Sequence, residues 1–163
     1  RFPTLIREFL SVTGLCKLNR PWFEAKFGWG RQDFTQTIKV DEVCGACLMV
    51  RRDVLNSVGL LDERFFMYYE EIEFCHRIWS AGWEIYYVAE AQVIHHWMGS
   101  VKQVSKKMTE EMLKSQILYY QMTAGPLHVL IIHIISAIGV WKNRYIHFGV
   151  AVKRYLRKIR IIK

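Results

Sequence analysis

The segment from Glu70 to Ala81 constrains the fold more than any other part of this chain. Its apolar residues fall at helical spacing, with Ile72, Cys75 and Trp79 on one stripe and Phe74 and Ile78 beside it. Three acids, Glu70, Glu71 and Glu73, fill its first turn, and Gly82 supplies the stop. A helix of this length must bury its apolar stripe against another layer to be stable. β-like runs flank it: Ile38–Val50 before it, interrupted near Gly45, and Glu84–Val88 and Ala91–His95 after it. A helix set among short strands predicts an α/β fold.

The rest of the chain divides by composition. Residues 3–13 read as a short helix with Leu5, Ile6, Phe9 and Leu10 on one side. Residues 14–37 read as a loop whose aromatics, Trp22, Phe23, Phe27 and Trp29, form a packed cover. One or two helical turns over Arg52–Ser57 end at Gly59. A long helix is expected at 105–122, broken by Gly125-Pro126. The fifteen residues Leu127–Trp141 are apolar apart from His128, His133 and Ser136. A bilayer-spanning helix needs about 20. Two regions follow: residues 1–104, and a helical, basic membrane-association segment, 105–163.

Charge sharpens the second region. Residues 1–141 carry 15 basic and 15 acidic side chains, whereas 142–163 carry eight basic side chains and no acid. Over about 143–161, Phe148, Val152, Tyr155, Ile159 and Ile162 share one helical face, with Arg154, Arg157, Lys158 and Arg160 largely off it. A basic tail behind an apolar segment predicts contact with an anionic membrane surface and no nucleic-acid role. Docking of this helix on its own domain or on a partner is the other reading. The 52% hydrophobic and 14% aromatic content excludes a disordered chain. Cys16, Cys44, Cys47 and Cys75 sit among mostly apolar neighbours, which predicts reduced thiols in a cytoplasmic setting. No signal peptide is evident, and Arg1-Phe2-Pro3 reads as the middle of a longer protein or the start of a processed one.

Several residue groups could carry chemistry. Acids in a first turn are favoured by the helix dipole alone, yet crowding and partial burial beside Phe66-Met67-Tyr68-Tyr69 would equip one carboxylate to take a proton from a hydroxyl. His95-His96 ends a β-like run before Gly99-Ser100, a placement suited to a divalent metal or a diphosphate. Cys44-Gly45-Ala46-Cys47 has redox spacing, but Leu48-Met49-Val50 reads as strand where a redox dithiol needs a helix. A zinc site from Cys44, Cys47, Cys75 and His76 or His95 lacks a second CxxC.

Taken in order, Gly45-Ala46, Arg51-Arg52, Gly59, Asp62-Glu63, Phe65-Phe66-Met67-Tyr68, Glu70-Glu71-Ile72-Glu73, Arg77, Gly82-Trp83, His95 and Gly99-Ser100 resemble the C-terminal half of family 2 glycosyltransferases, in particular rhamnosyltransferase-like members. The resemblance implies a partial GT-A fold, a Rossmann-like mixed sheet, and inverting transfer from a nucleotide-diphosphate sugar to a glycan or lipid-linked acceptor, in cell-surface polysaccharide synthesis; with the basic tail it places the protein peripherally on the inner face of the cell membrane. It implies that Glu71 is the catalytic base, that Glu70 and Glu73 orient groups at the site, and that Asp62 braces the preceding loop. It further implies that Gly45, Ala46, Trp83, Gly99 and Ser100 bind substrate, and that His95 helps to hold a Mg or Mn ion in the complete enzyme. Glu71 and Glu73 stand where the family usually has Asp, and Glu42 where it often has an aromatic residue. No Asp-x-Asp motif occurs in the chain, so transfer is expected only with the donor-binding half in place. A non-catalytic membrane-docking or assembly module is the alternative.

Overall fold

The computed structural model describes residues 1–28, 32–95 and 105–142. Helix α1 is Leu5–Thr13, started by Thr4, whose Oγ1 accepts from the Arg7 amide at 3.3 Å, and ended by Gly14 at φ 82°. After a 3-10 turn at Leu15–Lys17 comes α2, Arg20–Phe27. Strand β1, Ile38–Val40, precedes a 3-10 turn at Gly45–Cys47, followed by α3, Arg52–Val58. Helix α4 is Glu70–Ser80, strand β2 is Ile85–Tyr87 and helix α5 is Ser105–Thr123. The chain is helical again over residues 126–142, here called α6.

β1 and β2 pair antiparallel in the register Ile38↔Tyr87, Lys39↔Tyr86, Val40↔Ile85. The chain is thus mixed helix and sheet, as expected at that coarse level. A larger mixed sheet is not found among the described residues.

Helix α4 lies between two apolar clusters. Phe74, Cys75 and Ile78 pack with Val40, Val54 and Ile85 from the sheet and α3. On its other side Ile72 packs with Phe65, Tyr119, Tyr120, Ile132 and Ile135, so this second cluster joins residues before and after residue 104. Lys142 Nζ reaches back to the Val12 and Thr13 carbonyls, at 3.0 and 2.7 Å, satisfying orphan acceptors at the end of α1.

Several local expectations are corrected. The 14–37 region contains α2, whose start was signalled by Asn19, which accepts from the Trp22 amide at 3.1 Å, and by Pro21 in the first turn. Strand stops at Val40 rather than Val50, and Ala91–His95 forms no strand. The buried face of α4 is Phe74, Cys75 and Ile78; Trp79 is 54% exposed, with Phe2 against its edge at 6.2 Å. The stop is as expected: Gly82, at φ 83°, donates to Trp79 O and Trp83 to Ile78 O, the paired bonds of a Schellman ending. No described helix is long and apolar enough to cross a membrane. The expected helix over 143–161 lies outside the described residues.

Candidate functional site

The site is built around the start of α4. Asp62 braces the approach: it accepts from the Arg64 amide at 3.0 Å and pairs with its guanidinium at 2.6 Å, which holds the Asp62 carboxyl down at about 2. Tyr68 and Tyr69 then both take φ 66°, the left-handed region that disfavours a side chain. Such a conformation costs about 1–2 kcal/mol per non-glycine residue. Tyr69 is the N-cap of α4 yet its side chain makes no capping bond, so the first-turn amides are complemented by the acids rather than by a hydroxyl cap.

Across from that turn lies the Gly45 backbone. A Cβ built on Gly45 would stand 3.5, 3.8 and 3.9 Å from Cβ, Cγ and Cδ of Glu71. Two residues twenty-six positions apart are therefore neighbours, and the absence of a side chain at 45 leaves that flank of the Glu71 side chain open. One oxygen of Glu71, Oε2, is buried and has no hydrogen-bond partner.

Two more carboxylates feel the charge of Glu71. Glu70 is half-buried and its Oε2 is likewise buried and unpaired; burial raises its pKa, its own backbone N–H opposes the rise, and the charge of Glu71 adds to it. Glu42, just beyond β1, is only 8% exposed, and its Oε2 is a third buried oxygen without a partner. Burial is the first cause that raises its pKa; Arg7 works against the rise, and the charge of Glu71 contributes to it. Cys75, beneath them, is pushed up to about 11 by burial, with the Glu42 and Glu71 charges adding to a rise that a hydrogen bond involving the Val43 backbone opposes. Buried polar groups are normally satisfied, so the unpaired oxygens of Glu42, Glu70 and Glu71 are acceptors with capacity to spare. They can receive hydroxyl protons as hydrogen bonds, or take one outright. Glu42 was not among the expected site residues; its only signal in the sequence is an acidic pair, Asp41-Glu42, set between Val40 and Val43.

The remaining expected residues are distributed elsewhere. Glu73 is 2% exposed and accepts from Arg77 Nε at 2.7 Å; Arg77 in turn donates to the Val58 and Leu60 carbonyls, tying α4 to the end of α3. Glu73 Oε1 is thus engaged in an ion pair, while its Oε2, like those of Glu70 and Glu71, is buried without a partner. Ala46 is exposed in the 3-10 turn beside Gly45, and Trp83 packs on the edge of the sheet-side cluster. His95 is exposed, and no three His, Cys, Asp or Glu among the described residues form a group able to hold a metal ion. A zinc site from Cys44, Cys47 and Cys75 is therefore not assembled there. All four cysteines are free thiols, and Cys44 and Cys47 flank a 3-10 turn, not the start of an α-helix. Gly99 and Ser100 lie outside the described residues.

The N-acetylglucosaminyl-diphospho-decaprenol L-rhamnosyltransferases of two Mycobacterium tuberculosis strains are each 37% identical to this chain over 99 residues, covering 59% of it and 31% of the relative. A low-salt glycan biosynthesis hexosyltransferase of Haloferax volcanii is 55% identical over 38 residues, 23% of this chain and 12% of the relative. A stretch covering 59% of 163 residues cannot avoid the middle of the chain, so the first match includes Glu70, Glu71 and Glu73. Over that stretch the chain is glycosyltransferase-like. It spans about a third of the length of these rhamnosyltransferases. No family model matches the chain, and no solved structure does.

Proposed function

We propose that this glycosyltransferase-like chain supplies the acceptor side of an inverting glycosyl transfer, with Glu71 as general base. The observation that carries the reading is the buried, unpaired Glu71 oxygen beside the bare backbone of Gly45. The Glu71 carboxylate takes the proton of an acceptor hydroxyl as that oxygen bonds to the anomeric carbon of a nucleotide-diphosphate sugar. The bond from that carbon to the diphosphate oxygen breaks, and its electron pair leaves with the nucleoside diphosphate. Attack opposite the leaving group inverts the centre. Glu70 and Glu42 accept hydrogen bonds from other acceptor hydroxyls, and Gly45 and Ala46 let substrate approach the backbone. Trp83, Gly99 and Ser100 contribute to substrate binding. The described residues hold no cation site, so a Mg or Mn ion would be held by His95 together with ligands outside them, and no step here passes through it.

The relatives' names favour an acceptor of the lipid-linked glycan class and a role in cell-surface polysaccharide synthesis. Leu127, Leu130, Ile134 and Trp141 form an exposed apolar stripe on α6, ahead of eight basic residues in 142–163. Such a stripe beside a basic tail suits the anionic inner leaflet of a cell membrane.

The test is Glu71→Gln in the full-length protein, with nucleotide-diphospho-L-rhamnose and N-acetylglucosaminyl-diphospho-polyprenol as probes. Transfer is expected to fall on the order of 10²–10⁴-fold, the usual contribution of a general base, with donor affinity retained. Turnover at the wild-type rate removes Glu71 from the role. If the unmodified protein turns over no nucleotide sugar yet binds anionic vesicles in a salt-sensitive way, the docking-module reading, which the α6 stripe favours, takes its place.

A further inference from the structure

A second polar cluster surrounds the Tyr69 hydroxyl, outside the chemistry described so far. Gln116 of α5 donates through Nε2 to Glu8 Oε2 at 2.9 Å and to the Tyr69 hydroxyl at 3.0 Å. The Tyr69 hydroxyl donates to Glu8 Oε1 at 3.4 Å, and Ser136 Oγ of α6 donates to Gln116 Oε1 at 3.5 Å. One residue further on, Ser115 Oγ donates to the Met67 carbonyl at 2.8 Å, and the Tyr69 ring packs on Tyr119 at 5.5 Å. Gln116 and Ser136 are buried, and both amide hydrogens of Gln116 are used. Burial raises the pKa of the Glu8 carboxyl and of the Tyr69 phenol, so hydrogen bonds rather than solvent hold these groups. The network therefore grips, from α1, α5 and α6, the turn in which Tyr68 and Tyr69 are left-handed.

A strained turn persists only where its surroundings over-determine it. Released, Tyr68 and Tyr69 would relax toward ordinary φ values, and the first turn of α4 would swing with them. Glu70 and Glu71 are the next two residues. The polar grip and the carboxylates are thus opposite ends of one short lever.

We propose that Gln116, with Glu8 and Ser136, is a positioning residue for the transfer: through the Tyr69 hydroxyl it holds the left-handed turn and so sets the aim of the Glu71 carboxylate. This deepens the reading of Glu71 as base and rests on it. It also gives α5 and α6 a part in positioning the base.

Tyr69→Phe is the decisive variant, since it keeps the ring on Tyr119, leaves the Gln116–Glu8 bond intact and cuts only the link to the turn. Gln116→Leu removes both donors, and the double variant Glu8→Gln with Gln116→Glu exchanges carboxylate and amide across the same contact. In the full-length protein, assayed with the two probes above well below its melting temperature, Tyr69→Phe should lower kcat by about 10–10²-fold, the equivalent of the two hydrogen bonds its hydroxyl makes, with KM for the donor unchanged. The exchange should recover kcat relative to Gln116→Leu, because it keeps a donor and an acceptor across the same contact with their direction reversed. A purely structural network would lower the melting temperature and leave kcat alone, which overturns the proposal; so does a wild-type kcat in Tyr69→Phe, even if Gln116→Leu fails to fold. Glu71→Gln run in parallel separates the two levels. If it retains turnover, the assignment of the base falls; if it is inactive while Tyr69→Phe is fully active, only the positioning role falls.

Discussion

Gly45→Ala separates the shape of the site from the stability of the fold. Gly45 does not adopt a left-handed φ, so alanine is permitted by the backbone. Its methyl would meet Cβ, Cγ and Cδ of Glu71 at 3.5, 3.8 and 3.9 Å, ordinary contact distances. Three such contacts contribute about 0.1–0.2 kcal/mol each. Replacing glycine also removes unfolded-state freedom, about 0.4–1 kcal/mol in favour of folding. The variant should therefore be as stable as the parent or slightly more so, with a melting temperature unchanged or raised by about 1–4 °C. Activity should respond differently. An acceptor oxygen must come within about 2.6–3.2 Å of the carboxylate to give up its proton. The methyl occupies the flank of Glu71 that Gly45 leaves open and displaces such an oxygen by about 1 Å, enough for roughly 10²-fold in rate. Thermal melting and initial rates with the two sugar probes, on the full-length protein, measure both halves. Unchanged turnover in a stable variant refutes the approach across Gly45. A fall of several degrees in melting temperature refutes the contact geometry itself.

Glu73→Ala should act in the opposite sense, costing about 3 kcal/mol by orphaning Arg77 at a nearly buried pair while sparing the kcat of the protein that remains folded; denaturant titration with rate measurements checks both. Glu42→Gln should alter the pH dependence of stability. The folded Glu42 carboxyl titrates above its ordinary 4.5, so its favourable contribution is complete below that value and is lost as pH rises through the raised value. The melting temperature of Glu42→Gln relative to the parent should therefore climb as pH increases from about 4.5; a difference that is flat with pH shows that Glu42 is not held in a charge-penalising place. Asp62 titrates near 2, so its own contribution is lost only on acidification below its usual 3.8 and leaves that window clear.

What the sequence reveals, and what it hides, follows the range over which each determinant acts. The extent of α4 is local: apolar spacing and the glycine at 82 dictate it, and the Schellman bonds at Gly82 and Trp83 realise it. The face that α4 buries is not local. Packing on both sides leaves Phe74, Cys75 and Ile78 toward the sheet and Ile72 toward α5, so Trp79, on the same stripe, is left at the rim against Phe2. Strand formation is less local still. Leu48-Met49-Val50 and Ala91–His95 have β-favouring side chains, but a strand exists only with a partner, and among the described residues only Ile38–Val40 and Ile85–Tyr87 have one. The candidate site divides in the same way. Its acids are visible as a cluster in the chain, whereas nothing in the spacing of Gly45 and Glu71 announces that they are neighbours, and nothing in the letters of Tyr68-Tyr69 announces two left-handed residues. Tyrosine is a poor choice for that conformation, and a fold shaped by stability alone would have placed glycine or asparagine there. Local preference gives way to tertiary structure at the one turn that aims the unpaired carboxylates, which is where a chain that uses strain for function would be expected to spend it.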